Sequence, residues 1–233
     1  MPAVNEYDLM TAYIRGAEVS SIWKGEYFVW EHYTRVDPFT TSTNGIQIPD
    51  WALSVGVAVI GGGGGGQTGN GAVDTSGRPG AAAEWYVAHK VLDRNPGDKF
   101  YINVTVGDGG AGGSNSDNSP GKQGGATKAT IFRNTNGTVT QIATYTGTGG
   151  KGGPDSGLPT NSTSTSPSIK TAPRQALHPP TTLPRGSVAP KGHVGGSPGA
   201  GGGCGDGGFF GSRTVGRAGG KGRAILYYYG LRY

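Results

Sequence analysis

Cysteine is nearly missing from this chain: Cys204 stands alone among 233 residues, so no intrachain disulfide can form and no Cys/His spacing resembles a zinc site. Charge is scarce as well, at 15% Asp, Glu, Lys and Arg, which excludes the low-hydropathy, high-net-charge composition of a fully disordered chain. Long apolar runs are lacking too. The longest, Val55 to Ile60, is broken by Gly56, so no membrane span is expected. The first residues carry neither a basic n-region nor an apolar h-region, and no signal peptide is expected. Apolar residues reach only 33%, so layers of Leu, Ile and Val alone would give a thin core.

Glycine fills the gap, with 47 residues, alongside 11 Tyr, 6 Phe and 4 Trp. A length of 233 suits one large or two small domains, and two units are expected. The formal charge of +5 would favour approach to an anionic surface.

Residues 1 to about 50 are ordinary in composition. Leu9, Met10 and Tyr13 share a face at i, i+3, i+4 spacing, which predicts a short helix over Glu6 to Arg15 ended by Gly16. Val19 to Trp23 and Glu26 to Tyr33, split by Lys24-Gly25, read as a hairpin. From Ile46 the texture changes. Val55 to Ile60 reads as a strand that empties into Gly61 to Gly66, and Lys99 to Val106 as one that empties into Gly107-Asp-Gly-Gly-Ala-Gly-Gly. Asn95-Pro-Gly-Asp between them is a turn. Ala126 to Arg133 and Thr138 to Tyr145 form a hairpin around Asn136-Gly137, and Gly147-Thr-Gly-Gly-Lys-Gly-Gly follows. Residues 154–190 hold eight of the fifteen prolines and a Ser/Thr tract, so they read as a long surface excursion without regular structure. A last glycine block, Gly192 to Gly222, leads into a closing strand from Arg223.

Glycine blocks ordinarily mean flexible linkers. Here each lies between strands rather than between domains, and aromatics (Trp85, Phe209, Phe210) punctuate them. The alternative is a set of polyglycine-II helices with three residues per turn and no internal hydrogen bonds, whose backbone groups bond laterally. Only glycine allows such close backbone approach. Spacing as irregular as Gly199, Gly201, Gly202, Gly203, Gly205 excludes a collagen triple helix. Ordering glycine costs about 0.5–1 kcal/mol per residue beyond alanine, and each lateral bond returns about 0.5–1.5 kcal/mol net. Such blocks are therefore collectively ordered or wholly loose. The expected fold is all-β: a small N-terminal β module over 1–45, then a glycine-rich β domain over 46–233 with packed polyglycine-II helices. Gly61, Gly64, Gly109, Gly112, Gly202 and Gly208 are the expected packing positions.

Little points to catalysis. Gly216-Arg-Ala-Gly-Gly-Lys-Gly-Arg has the wrong spacing for a P-loop and no Ser/Thr after the lysine. The histidines at 32, 89, 178 and 193 have no partner at triad or ligand spacing. No enzymatic role, cofactor or metal is expected. Arg213, Arg217, Lys221 and Arg223 interleave with glycine as in segments that bind single-stranded nucleic acid, although true RGG repeats are absent.

Trp51 to Gly66, Val104-Thr-Val-Gly-Asp-Gly-Gly-Ala-Gly-Gly and the terminal Gly-Gly-Lys-Gly-Arg-Ala-Ile-Leu-Tyr together resemble the glycine-rich domain of bacteriophage minor tail proteins. Val19-Ser-Ser-Ile-Trp-Lys-Gly-Glu-Tyr-Phe-Val-Trp is similar to the element that opens many such proteins in phages of actinobacteria. The architecture also resembles the polyglycine tail-tip adhesins of T-even-like phages, which carry recognition loops at the far end. The resemblance implies a structural protein at the tail tip of a virion that contributes to host-surface recognition, with no catalytic residues to carry over. Its partners would be other tail-tip proteins and a host-envelope receptor, and a symmetric homo-oligomer, a trimer above all, is implied. A purely architectural assembly protein and a glycine-rich nucleic-acid binder are the alternatives. Trp23, Tyr27 and Trp30 are the expected assembly interface. Leu158, Ile169, Arg174, Leu177, His178, Leu183 and Arg185 are the expected contacts of the excursion with a receptor or a neighbouring subunit.

Overall fold

A computed structural model describes the backbone of residues 13–14, 17–18, 21–24, 27–114, 116–171 and 182–232, and side chains over 34–114, 116–169 and 182–230. Among these residues there is no helix, and the protein is all-β. Twelve strands form: β1 (Tyr13–Ile14), β2 (Ala17–Glu18), β3 (Ser21–Lys24), β4 (Tyr27–Phe39), β5 (Thr43–Gln47), β6 (Ala52–Ile60), β7 (Glu84–Val91), β8 (Lys99–Thr105), β9 (Thr127–Thr135), β10 (Thr138–Gly147), β11 (Ser168–Thr171) and β12 (Arg223–Arg232). β1 and β2 pair with each other. The helix expected over 6–15 is corrected at its end, where Tyr13 and Ile14 are extended; its earlier residues lie outside the described ones.

One sheet has the order β11-β7-β6-β12-β4-β3, the other β10-β9-β8-β5. They face each other across a core of Val55, Val57, Val59, Phe100, Ile102, Val104, Ile131, Ala224, Leu226 and Tyr228. Alternation explains this: the odd residues of β6 and the even residues of β12 point inward. Their other faces are buried too, because Ala58, Ile60, Trp85, Val87, Ile225, Tyr227 and Tyr229 form a second cluster with Leu183 on the outside of the larger sheet. A strand buried on both faces reads as a continuous apolar run, which is why Val55 to Ile60 stood out. β12 pairs with β6 on one side and with residues 31–39 of β4 on the other. Residues 27–39 are thus a strand of the larger sheet, and the boundary expected at 45 falls inside β5, a strand of the smaller one. β5 and β7 escaped the sequence reading. The excursion is not devoid of regular structure: β11 pairs in parallel with β7.

The Asn95–Asp98 turn is locked by a buried carboxylate. Asp98 accepts hydrogen bonds from the Asn95 backbone N–H (2.8 Å) and Thr135 Oγ1 (2.6 Å), and pairs with Arg133 Nη2 at 2.6 Å. The Arg133 bond first, then Thr135 and Asn95, hold its pKa at about 2. A carboxylate depressed in the folded state stabilises the fold above its unfolded value, about 3.9, and loses that contribution as pH falls through the folded value. Asp98→Asn is therefore expected to lower the melting temperature at pH 7 and to flatten its fall between about pH 4 and pH 2. Parallel acid titrations of both proteins followed by circular dichroism check this.

Three strands run directly into glycine: β6 at Gly61, β8 through Val106 at Gly107, and β10 at Gly147. Residues 62 to 69 donate their backbone N–H groups in turn to the carbonyls of Gly125, Gly220, Ala81, Lys122, Arg217, Arg78, Ser119 and Thr214. The acceptors repeat every third residue: 125, 122, 119 on one neighbour, 220, 217, 214 on the next, 81, 78 on the third. All three run antiparallel to 61–69. Three parallel neighbours donate back: Gly150 and Gly153 to Gly62 and Gly65, Gly110 and Gly113 to Gly63 and Gly66, Gly202 and Gly205 to Gly64 and Gln67. The six neighbours also bond to one another in a closed ring, through Lys122 N–H to Ala111, Gly219 to Gly110, Arg217 to Gly203, Gly80 to Gly202, Ala81 to Lys151 and Gly121 to Gly153.

Candidate functional site

The glycine bundle is the feature with no ordinary structural purpose, so the candidate site lies in what it builds. A Cβ at Gly61 would overlap the Thr148 carbonyl, at Gly64 that of Lys151, at Gly109 that of Gly219, at Gly112 that of Gly216, and at Gly202 that of Arg217. Gly208 sits in a loop, where a Cβ would overlap the Ser212 carbonyl. At its far end the central segment adds side-chain bonds to its backbone ones: Gln67 Oε1 accepts from Arg78 N–H, Gln67 Nε2 donates to the Asn118 carbonyl, and Thr68 Oγ1 donates to the Ser114 carbonyl. Cys204 is buried within the bundle, and burial pushes its thiol up.

Opposite the sheets, loops 70–76, 116–119 and 206–213 meet. Gly211 N–H donates to the Gly71 carbonyl, Gly208 N–H to Asn70, Asn118 N–H to Gly69, and Gly71 N–H to Asp117 Oδ1. Asp117 also pairs with Arg213 at 3.2 Å, and Asp206 with Lys191 at 2.8 Å. The Lys191 bond and then the Ser76 hydroxyl hold the Asp206 carboxyl below its usual range. On this apex Val73, Phe209 and Phe210 are exposed.

The residues singled out from sequence scatter. Trp23, Tyr27 and Trp30 stand on β3 and β4, with Trp23 opposite Phe28 and Trp30 opposite Ile22; their side chains lie outside the described residues, as do Arg174, Leu177 and His178 entirely. Arg185 is exposed, Ile169 is exposed on β11, and Leu158 is half-buried. Leu183 is corrected from a contact to a core residue: it is buried beside Trp85, whose indole N–H donates to the Pro184 carbonyl at 2.9 Å. Thr165 braces the bundle, its Oγ1 accepting from Ala82 N–H and its carbonyl from Gly201 N–H, while Ser164 and Ala189 bond to each other. Of the basic residues weighed for nucleic acid, Arg213 faces Asp117 and Lys221 faces Asp108 at 3.6 Å.

Two features were invisible to motif reading. His89 Nε2 lies 2.9 Å from Ser54 Oγ, 35 positions away in sequence, and burial lowers the His89 pKa. They are diagonal neighbours on adjacent strands, Ser54 lying opposite Val91 and His89 opposite Gly56, with Ser54 fully buried. The apex is the other: its loops are far apart in sequence, and only the bundle brings them together.

No curated protein matches the chain. A family model described as a glycine-rich domain matches residues 40–171, from just beyond β4 to the end of β11. That match spans more than half of the sequence, and the chain belongs to this glycine-rich domain family.

Proposed function

We propose that the glycine segments are polyglycine-II helices packed as a lattice, and that the protein is a non-enzymatic structural component of a phage tail tip that carries a recognition apex away from its sheets. The return of each hydrogen-bond partner every third residue supports the lattice, since three residues per turn with purely lateral bonds is the signature of this helix. At about 3.1 Å per residue, residues 61–69 hold the apex roughly 28 Å from the end of β6. Such a stalk is stiff because every strut is bonded to its neighbours. Loops on a rigid scaffold are where binding residues concentrate, and here three loops converge at one end.

At the N-terminal side, β3 and β4 form an antiparallel pair on the edge of the larger sheet. An edge ribbon offers a pairing template to another chain, and it carries Trp23, Tyr27 and Trp30, which supports attachment to the tail through this side. The ion pairs of Arg213 and Lys221 disfavour the nucleic-acid reading, because their charge is partly matched within the chain. Immunogold labelling of purified virions with antibody against the full chain tests the proposal. Gold at the tail tip is expected; particles without the chain, or label on the head, would overturn it.

A further inference from the structure

We propose that the apex inserts Phe209 and Phe210 into a lipid surface. This rests on the tail-tip reading for its biological setting, but the physical case is independent of it. Phe210 is 106% exposed, more open than in an extended peptide, Val73 is 62% exposed and Phe209 59%. Large apolar residues scattered singly on a surface are unremarkable, but these stand on two loops that the bundle joins.

The backbone strengthens the case. Phe210 has φ +56°, a left-handed conformation that a bulky side chain adopts at a cost. Its neighbours Gly207, Gly208 and Gly211 show that this chain has no difficulty supplying glycine here. A glycine at 210 would relieve the strain and remove an exposed ring, so the folded protein gains nothing internal from this phenylalanine. The backbone on either side of Phe210 is nevertheless bonded in place: Ser212 N–H and Oγ both donate to the Phe209 carbonyl, at 3.2 and 2.7 Å, and Gly211 N–H donates to the Gly71 carbonyl. Asp74 and Asn118, in the same loop cluster, also have positive φ.

The chemistry selects the occupant. A phenylalanine ring has no hydrogen-bond group with which to read a polar ligand. The rings protrude instead of lining a hollow; the cleft of about 360 Å³ bounded by Gly121, Gln123, Lys151, Gly152 and Asp155 does not include them. Of the charges beside the rings, Asp117 is met by Arg213 and Asp206 by Lys191, while Asp74 is exposed next to Val73. Protruding apolar side chains suit an acyl-chain boundary, where affinity follows buried apolar area and needs no shape match.

The test is sedimentation of the full chain with large unilamellar vesicles of phosphatidylcholine, alone or mixed with phosphatidylserine, for wild type, Phe210→Gly and Phe209→Ser/Phe210→Ser. Wild type is expected to partition onto both vesicles. Each ring removed lowers the partition coefficient about tenfold or more, while Phe210→Gly melts no lower than wild type because the strain is gone. Wild type that stays in solution with both vesicles overturns the proposal, as does partition that the variants retain, or partition onto the phosphatidylserine mixture alone. Loss of virion adsorption in Phe210→Gly without any vesicle binding would also overturn it and assign the rings to a protein partner. Immunogold at the tail tip with a lipid-inert apex would leave the tail reading standing; vesicle insertion by a chain absent from virions would do the reverse.

Discussion

Gly64→Ala is expected to abolish folding. Gly64 donates to Ala81, accepts from Gly202, and has the Lys151 carbonyl where a Cβ would stand. In an ordinary core an added methyl costs about 1–3 kcal/mol because side chains shift to admit it. Here no side chain is available to shift. The obstacle is backbone, and the strut carrying Lys151 is itself bonded to Ala81, while Gly153 two residues on is bonded to Gly65 and Gly121. Moving it breaks several lateral bonds at once, each worth about 0.5–1.5 kcal/mol. The sum reaches much of the 5–15 kcal/mol that separates folded from unfolded domains. Gly157→Asn is the comparison: Gly157 has φ +72° with open space around it, and asparagine tolerates that conformation. Its melting temperature is expected to stay within a few degrees of wild type, whereas Gly64→Ala yields insoluble protein or a chain without a cooperative melt.

Residues 40–171, the span of the family match, are expected not to fold when expressed alone. The fragment lacks both β4 and β12, so β6 loses its partner on one side and the core loses Ala224, Leu226 and Tyr228. The bundle suffers equally, because two of the six neighbours of residues 61–69 come from the segments around 199–205 and 214–222. The remaining four would leave Gly63, Gly66 and Gly69 N–H groups without their acceptors in Gly220, Arg217 and Thr214. Unpaired buried backbone groups cost about 1–3 kcal/mol each. Gel filtration and circular dichroism of the fragment beside the full chain check this: an expanded, non-cooperative fragment is expected, and a compact one with a sharp melt would contradict the shared core.

Strands with a clear period or a clear turn were legible. The alternation in Lys99 to Val106 and the Asn136-Gly137 turn placed β8, β9 and β10 because local chemistry decided them. β7 was missed because Glu84 to Val91 mixes charged and apolar residues without strict alternation, and its burial depends on β6, some 30 positions earlier. The excursion misled for a different reason. Its prolines remove donors, but Thr165 still braces the bundle and Leu183 still reaches the outer cluster, neither of which leaves a periodic trace. The position of glycine between strands pointed to packing; the pairing of struts could not be read, since glycine carries no side chain to specify a partner. At the apex, Phe209 and Phe210 were noticed as aromatic interruptions of glycine, and their exposure follows only from where the struts end.

Backbone amide hydrogen exchange at Gly62 to Gly66 in the native protein, measured residue by residue, probes the packed bundle most directly. A laterally bonded lattice predicts protection equal to that of Val57 and Val59 in β6, lost only in global unfolding. Exchange at the rate of an unstructured peptide would show these glycines to be a linker and would contradict the packed bundle.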